Sequence, residues 1–140
     1  MKNIITKKFI NNIFVAAILS VLANDILLAI VRPIANAPET FSPFKYDAVT
    51  ELTFLGVLAA GFVYISIIRF YPIAYKKIFI WISIVALLLS FIPDIMLPYS
   101  PDADNQGATT FIVIILMLMH VLTAGIVIWM FTRKNYHRTH

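Results

Sequence analysis

The sequence predicts an all-α membrane protein: a four-transmembrane-helix bundle with its N and C termini cytoplasmic. Three observations carry this. Of the 140 residues, 61% are hydrophobic and only 13% charged, against roughly 45–50% and about 25% in soluble domains. The mean hydropathy is correspondingly high, at +0.88. Four apolar stretches approach the length of about 20 residues that a bilayer crossing needs. The basic residues are distributed unequally among the segments between those stretches.

The four spans run over about 9–31, 52–70, 78–97 and 110–131, in one integral membrane domain covering 1–140. Pro33, Pro38 and Pro43 mark the first break, "YPIAYKK" the second and "PYSPDADNQG" the third. A cleavable signal peptide is the competing reading of the first span, with "MKNIITKK" as its basic region and Val21-Leu22-Ala23 as the cleavage site. The apolar run continues through "ILLAIV" beyond Ala23, which favours a retained helix.

Orientation follows from the basic residues. Lys2, Lys7, Lys8, Arg69, Lys76, Lys77, Arg133, Lys134 and Arg138 fall on one side, and only Arg32 and Lys45 on the other. The acidic residues show the reverse bias: Glu39, Asp47, Glu51, Asp94, Asp102 and Asp104 cluster at the outer side. The net charge of +4 is therefore a topology signal, and no nucleic acid partner is expected. The expected location is a bacterial plasma membrane, crossed several times. Trp81, Trp129 and the tyrosines near the span ends fit interfacial belts.

Each span carries polar or small residues at helical spacing, the pattern that packs helices in lipid. Asn12, Ala16, Ser20 and Asn24 share a face of span one. Gly56 and Ala60, with Ala59 and Gly61 beside them, form the small-residue patch of span two. Ser83, Ala86, Ser90 and Asp94 share a face of span three, where Pro93 removes a backbone hydrogen bond. Thr109, Val113, Met117, His120, Thr123 and Ala124 lie on one side of span four.

Depth singles out a subset. At about 1.5 Å per residue, Asp25 lies roughly 9 Å, Ser90 roughly 10 Å and His120 roughly 14 Å inside the outer ends of their spans. Glu51, Thr53 and Asp94 fall at the outer mouth. An unpaired Asp at the bilayer centre costs about 2.5–3.5 kcal/mol on insertion scales. His120 is the one histidine within a span, so an Asp25–His120 pair is expected to lower that cost.

Several chemistries are excluded or weak. The absence of cysteine removes disulfides, thiol catalysis and cysteine-ligated metals. No HExxH, phosphate-binding glycine loop or Ser/His/Asp order occurs. A zinc site wants three or four converging ligands, and none is visible. Haem often takes two axial ligands from different helices, whereas His120, Met117 and Met119 share one. "PDADNQG" falls short of a calcium loop because its ligand series stops at Asn105. The "YHRTH" tail reads as a solvated basic end. No metal and no cofactor is expected, and no catalytic residue is assigned.

"VLANDILLAIVR", "LLLSFIPDI" and "LMLMHVLTAGIV" resemble one family, the domain of unknown function 6069 family of small four-helix bacterial membrane proteins. The resemblance runs from about Ile13 to Lys134 and rests on Asn24, Ser90, Pro93 and His120, each in its matching span. Asp25 departs from the family pattern, which has an apolar residue there. The resemblance implies the architecture and supplies no activity.

The expectation is a non-enzymatic polytopic membrane protein. It would bind a small ligand, lipid or membrane partner through an outer-half polar cluster of Asn24, Asp25, Ser90 and His120. The alternative is a proton-coupled small transporter acting as a homodimer. An enzyme using His120 as general base is a third reading that lacks a visible nucleophile. The expected partners are the lipid bilayer and either a second copy of the chain or another membrane protein.

Overall fold

A computed structural model describes residues 2–102, 105 and 107–133, without the side chains of residues 2–6 and 8. Of the residues given above, Asp104, Lys134, Arg138 and the "YHRTH" tail with its His137 and His140 lie outside the described residues, as do the side chains of Lys2 and Lys8. The described residues form four helices and no strand: α1 (Lys2–Ala35), α2 (Tyr46–Phe70), α3 (Tyr75–Met96) and α4 (Thr110–Thr132). Each is long and apolar enough to cross a membrane.

The helix ends follow local chemistry. α1 runs unbroken through Ala23 and accommodates Pro33 in its last turn. It stops at Asn36, whose positive φ of 48° is the left-handed conformation that closes many helices. α2 starts six residues before the predicted span, at Tyr46, after the extended Lys45. α3 carries Pro93 in its last turn and passes into a 3-10 turn at Leu97–Tyr99. Thr109 caps α4 by accepting a hydrogen bond from the Ile112 amide at 3.3 Å.

Side-chain pairs fix the topology. Phe9 stacks on Tyr64 while Asn24 reaches Thr53, so α1 and α2 are antiparallel. Phe9 also meets Phe131 while Asn24 reaches Thr123, so α1 and α4 are antiparallel. Phe79 meets Phe131 while Asp94 meets His120, which sets α3 antiparallel to α4. The chain therefore makes four passes that alternate in direction. The start of α1 and the end of α4 share one end of the bundle, the terminal end, with the α2–α3 turn, and the other two connections share the opposite, loop end. α1 packs mainly on α2 and α4, α3 mainly on α4, and the α2–α3 seam is thin.

The core has two parts. At the terminal end Phe9, Tyr64, Tyr75, Phe79 and Phe131 form an aromatic cluster around Tyr64. The Tyr64 hydroxyl donates to the Phe131 carbonyl at 2.6 Å, satisfying one of the carbonyls left open in the last turn of α4. At the loop end Phe41 and Phe44, from the α1–α2 connection, are buried against Leu28, Val49, Ile112 and Leu116. That connection is a folded plug with a 3-10 turn at Ser42–Phe44.

The opposite faces are broadly apolar. α1 exposes Phe14, Ile18, Leu22, Ile26 and Ile30; α3 exposes Trp81, Val85, Leu88, Leu89 and Ile92. Only Tyr75, Phe79 and Asp94 of α3 are buried. Contiguous apolar surface on this scale is rare in soluble monomers and is ordinary facing lipid. Arg133 lies over the Trp129 ring at 4.2 Å and Arg32 over the Tyr46 ring at 5.9 Å, so basic and aromatic residues pair at both bundle ends.

The close approach in α2 falls at Gly61. A Cβ there would sit 2.6 Å from Ile13 Cδ1, whereas one at Gly56 would meet nothing within 4 Å. Gly56 is exposed, so the predicted Gly56–Ala60 pair is not where helices meet most tightly. Gly61→Leu is expected to lower stability by about 1–3 kcal/mol, the usual range for overpacking. Adding Ile13→Ala should recover part of the loss. Equilibrium unfolding in detergent measures both, and an unchanged single variant would contradict the packing described.

Candidate functional site

The polar stripe of α1 turns inward as predicted. Ala16 and Ser20 are fully buried and Asn24 is 3% exposed. The Asn24 amide donates both its protons across helix boundaries, to Thr53 Oγ1 on α2 at 2.9 Å and to Thr123 Oγ1 on α4 at 3.0 Å. One side chain thus joins three helices. Asn24 Oδ1 and Ser20 Oγ are buried without a hydrogen-bond partner.

Asp25 and His120 do not pair, and the reason is angular. Successive residues point about 100° apart around a helix. Asn24 takes the bearing between α2 and α4, which swings Asp25 outward along α2. There the Thr50 hydroxyl straddles its carboxylate, 3.4 Å from each oxygen. Thr50 is one turn inside the start of α2, so half-buried Asp25 lies near the loop end of that helix. His120 instead turns towards α3. Its Nε2 is 3.2 Å from Asp94 Oδ2.

Asp94 is 7% exposed. Its contact with His120 is at ion-pair distance, yet Oδ2 receives no aligned hydrogen bond. The contact is an ion pair when the imidazole is protonated. Ser90, one turn earlier on α3, donates to the Leu87 carbonyl at 2.7 Å. Such back-bonding satisfies a hydroxyl proton within its own helix.

These groups converge on a cavity of about 580 Å³ in the loop half of the bundle. Its polar pole is Asn24, Thr53, Ser90, Asp94, His120 and Thr123. Its apolar walls include Val49, Leu52, Leu97, Leu116 and Met119. Leu52 and Gly56 of α2 and Pro93 of α3 are exposed, so the cavity opens along the thin α2–α3 seam. Ser42 and Pro43 from the plug and Asn105 from the α3–α4 connection reach its loop-end side.

Five of the seven predicted site residues lie at the polar pole: Asn24, Ser90 and His120, together with Asp94 and Thr53, which the sequence assigned to the mouth. Thr53 is tied to Asn24. Asp25 and Glu51 do not line the cavity, and Glu51 is exposed on α2. Sequence reasoning missed the role of Thr123, although its place on the His120 face of span four carried the signal. Among the described residues, no three His, Asp or Glu side chains converge as a metal site.

A family profile matches residues 6–137. The chain belongs to DUF6069, a family of unknown function. It matches no curated protein and no solved structure. Asn24, Ser90 and His120, three of the positions that carry the family resemblance, all face the cavity.

Double-mutant cycles test the pairing. Asn24→Leu with Thr53→Val, and Asp94→Asn with His120→Ala, should couple at about 0.6 kcal/mol or more, the scale of interhelical polar contacts in membranes. Asp25→Asn with His120→Ala should add to within about 0.5 kcal/mol. Coupling in the last pair and additivity in the first two would reverse the assignment.

Proposed function

We propose that this membrane protein binds a small amphipathic molecule in the cavity between α2 and α3. One observation carries the reading. Two residues at the polar pole, Asn24 and Asp94, are buried, and each has an acceptor atom without a hydrogen-bond partner. A few polar side chains among the walls of a largely apolar cavity are the arrangement that orients small ligands, and the volume of about 580 Å³ is within the usual range of about 300–1,000 Å³. The bias of basic residues towards the terminal end supports both termini being cytoplasmic. The cavity would then open in the outer leaflet of a bacterial plasma membrane.

A second reading, proton-coupled transport by a homodimer, is favoured by one feature. The Asp94–His120 pair faces the cavity beside Pro93, in the last turn of α3. It requires proton flux after a pH jump in liposomes, lost in Asp94→Asn.

Gly56→Phe tests the binding reading. Gly56 lines the cavity, and a side chain there enters open space. Replacing a mid-helix glycine also favours the helix, so folding is expected to survive. Native mass spectrometry of the full chain released from nanodiscs should find an added mass on the wild type and none on Gly56→Phe. A wild type that is always bare would count against ligand binding.

A further inference from the structure

We infer that the cavity selects a ligand whose polar head is a hydrogen-bond-donating cation, a protonated amine on an apolar body. This rests on the reading of the cavity as a ligand site and adds the chemical class. Two acceptor atoms of the polar pole, Asn24 Oδ1 and Asp94 Oδ2, are buried without a hydrogen-bond partner. Both amide protons of Asn24 are already engaged by Thr53 and Thr123, leaving Oδ1. The Ser90 proton is engaged by the Leu87 carbonyl, and the Asn105 amide donates to Ser100 Oγ at 3.1 Å. Asp94 Oδ2 has His120 Nε2 at 3.2 Å and no aligned hydrogen bond.

Charge points the same way. Among the described residues, no lysine or arginine lines the cavity. Among the described residues its ionisable groups are Asp94 and His120, a formal charge of −1 counting a carboxylate and a neutral imidazole and zero counting an imidazolium. An ammonium head would meet the Asp94 carboxylate at the polar pole. A carboxylate or phosphate head would meet Asp94 with at most one imidazolium to offset it. Arg32 is engaged over the Tyr46 ring. The exposed rim at Leu52, Gly56 and Pro93 gives an amine partitioned into the bilayer a lateral path, apolar body against Leu52, Leu97 and Met119.

Three probes of equal chain length separate the chemistry: decylammonium, decanol and decanoate, each with a terminal trifluoromethyl group. Fluorine NMR on the full chain in nanodiscs reads the bound fraction apart from the lipid-dissolved fraction. Decylammonium should bind about tenfold or more tightly than decanol, the increment of one charge-assisted hydrogen bond, and decanoate weakest. Asp94→Asn should remove the amine preference and leave decanol unchanged, while Asp94→Glu retains it. Should Asp94→Asn not fold, the wild-type ranking decides alone. Equal binding of the three probes, or decanoate strongest, with all binding lost in Gly56→Phe, would overturn the cation assignment and leave the cavity reading standing. No Gly56-dependent binding of any probe would overturn both.

Discussion

Asn24 donates to threonines on two other helices at the level where the packed core gives way to a cavity. In a bilayer, burying apolar surface between helices gains little, because the lipid tails are equally apolar. Close packing and interhelical hydrogen bonds must hold the bundle. The Asn24 tie sets the height at which α1, α2 and α4 meet. On its terminal side the aromatic cluster around Tyr64 closes the bundle; on its loop side Phe41 and Phe44 do so from above. α3 takes no part in the tie. It is held by Tyr75 and Phe79 at one end and by the Asp94–His120 contact at the other. The thin seam between α2 and α3, and the cavity within it, follow from that division.

The acidic side chains of the spans show two ways of keeping a carboxylate in a membrane protein. Asp25 is level with the first turn of α2, half-buried, with the Thr50 hydroxyl across its oxygens. Asp94 is buried two residues before the end of α3 and faces a histidine. The first is a peripheral solution that asks little of the bundle. The second places an incompletely satisfied acceptor in a cavity open at the bundle surface, where a ligand could complete it.

Hydropathy and periodicity made the architecture legible because both are local. Four spans, their alternation, and the buried Ala16–Ser20–Asn24 stripe all follow from spacing along one helix. What stayed hidden depends on neighbours far apart in the chain. Depth along a span cannot say which way a side chain points, so Asp25 was matched to His120 although Asp94 is the partner. The same blindness exchanged the roles of Gly56 and Gly61, five residues and roughly 140° apart. Ile13, on another helix, makes Gly61 the contact and leaves Gly56 lining the cavity. The α1–α2 connection read as a proline-marked break, and the fold turns Phe41 and Phe44 into core.

The most direct test of the cavity compares two serines of α3. Ser90 lines it; Ser83, two turns earlier and likewise half-buried, does not. The chain has no native cysteine, so each can be replaced singly. In nanodiscs, Ser90→Cys should react readily with N-ethylmaleimide and be protected by saturating decylammonium, while Ser83→Cys, against lipid and packed helix, reacts far more slowly. Equal rates at the two positions, or no reaction at Ser90→Cys, would contradict an accessible ligand cavity between α2 and α3.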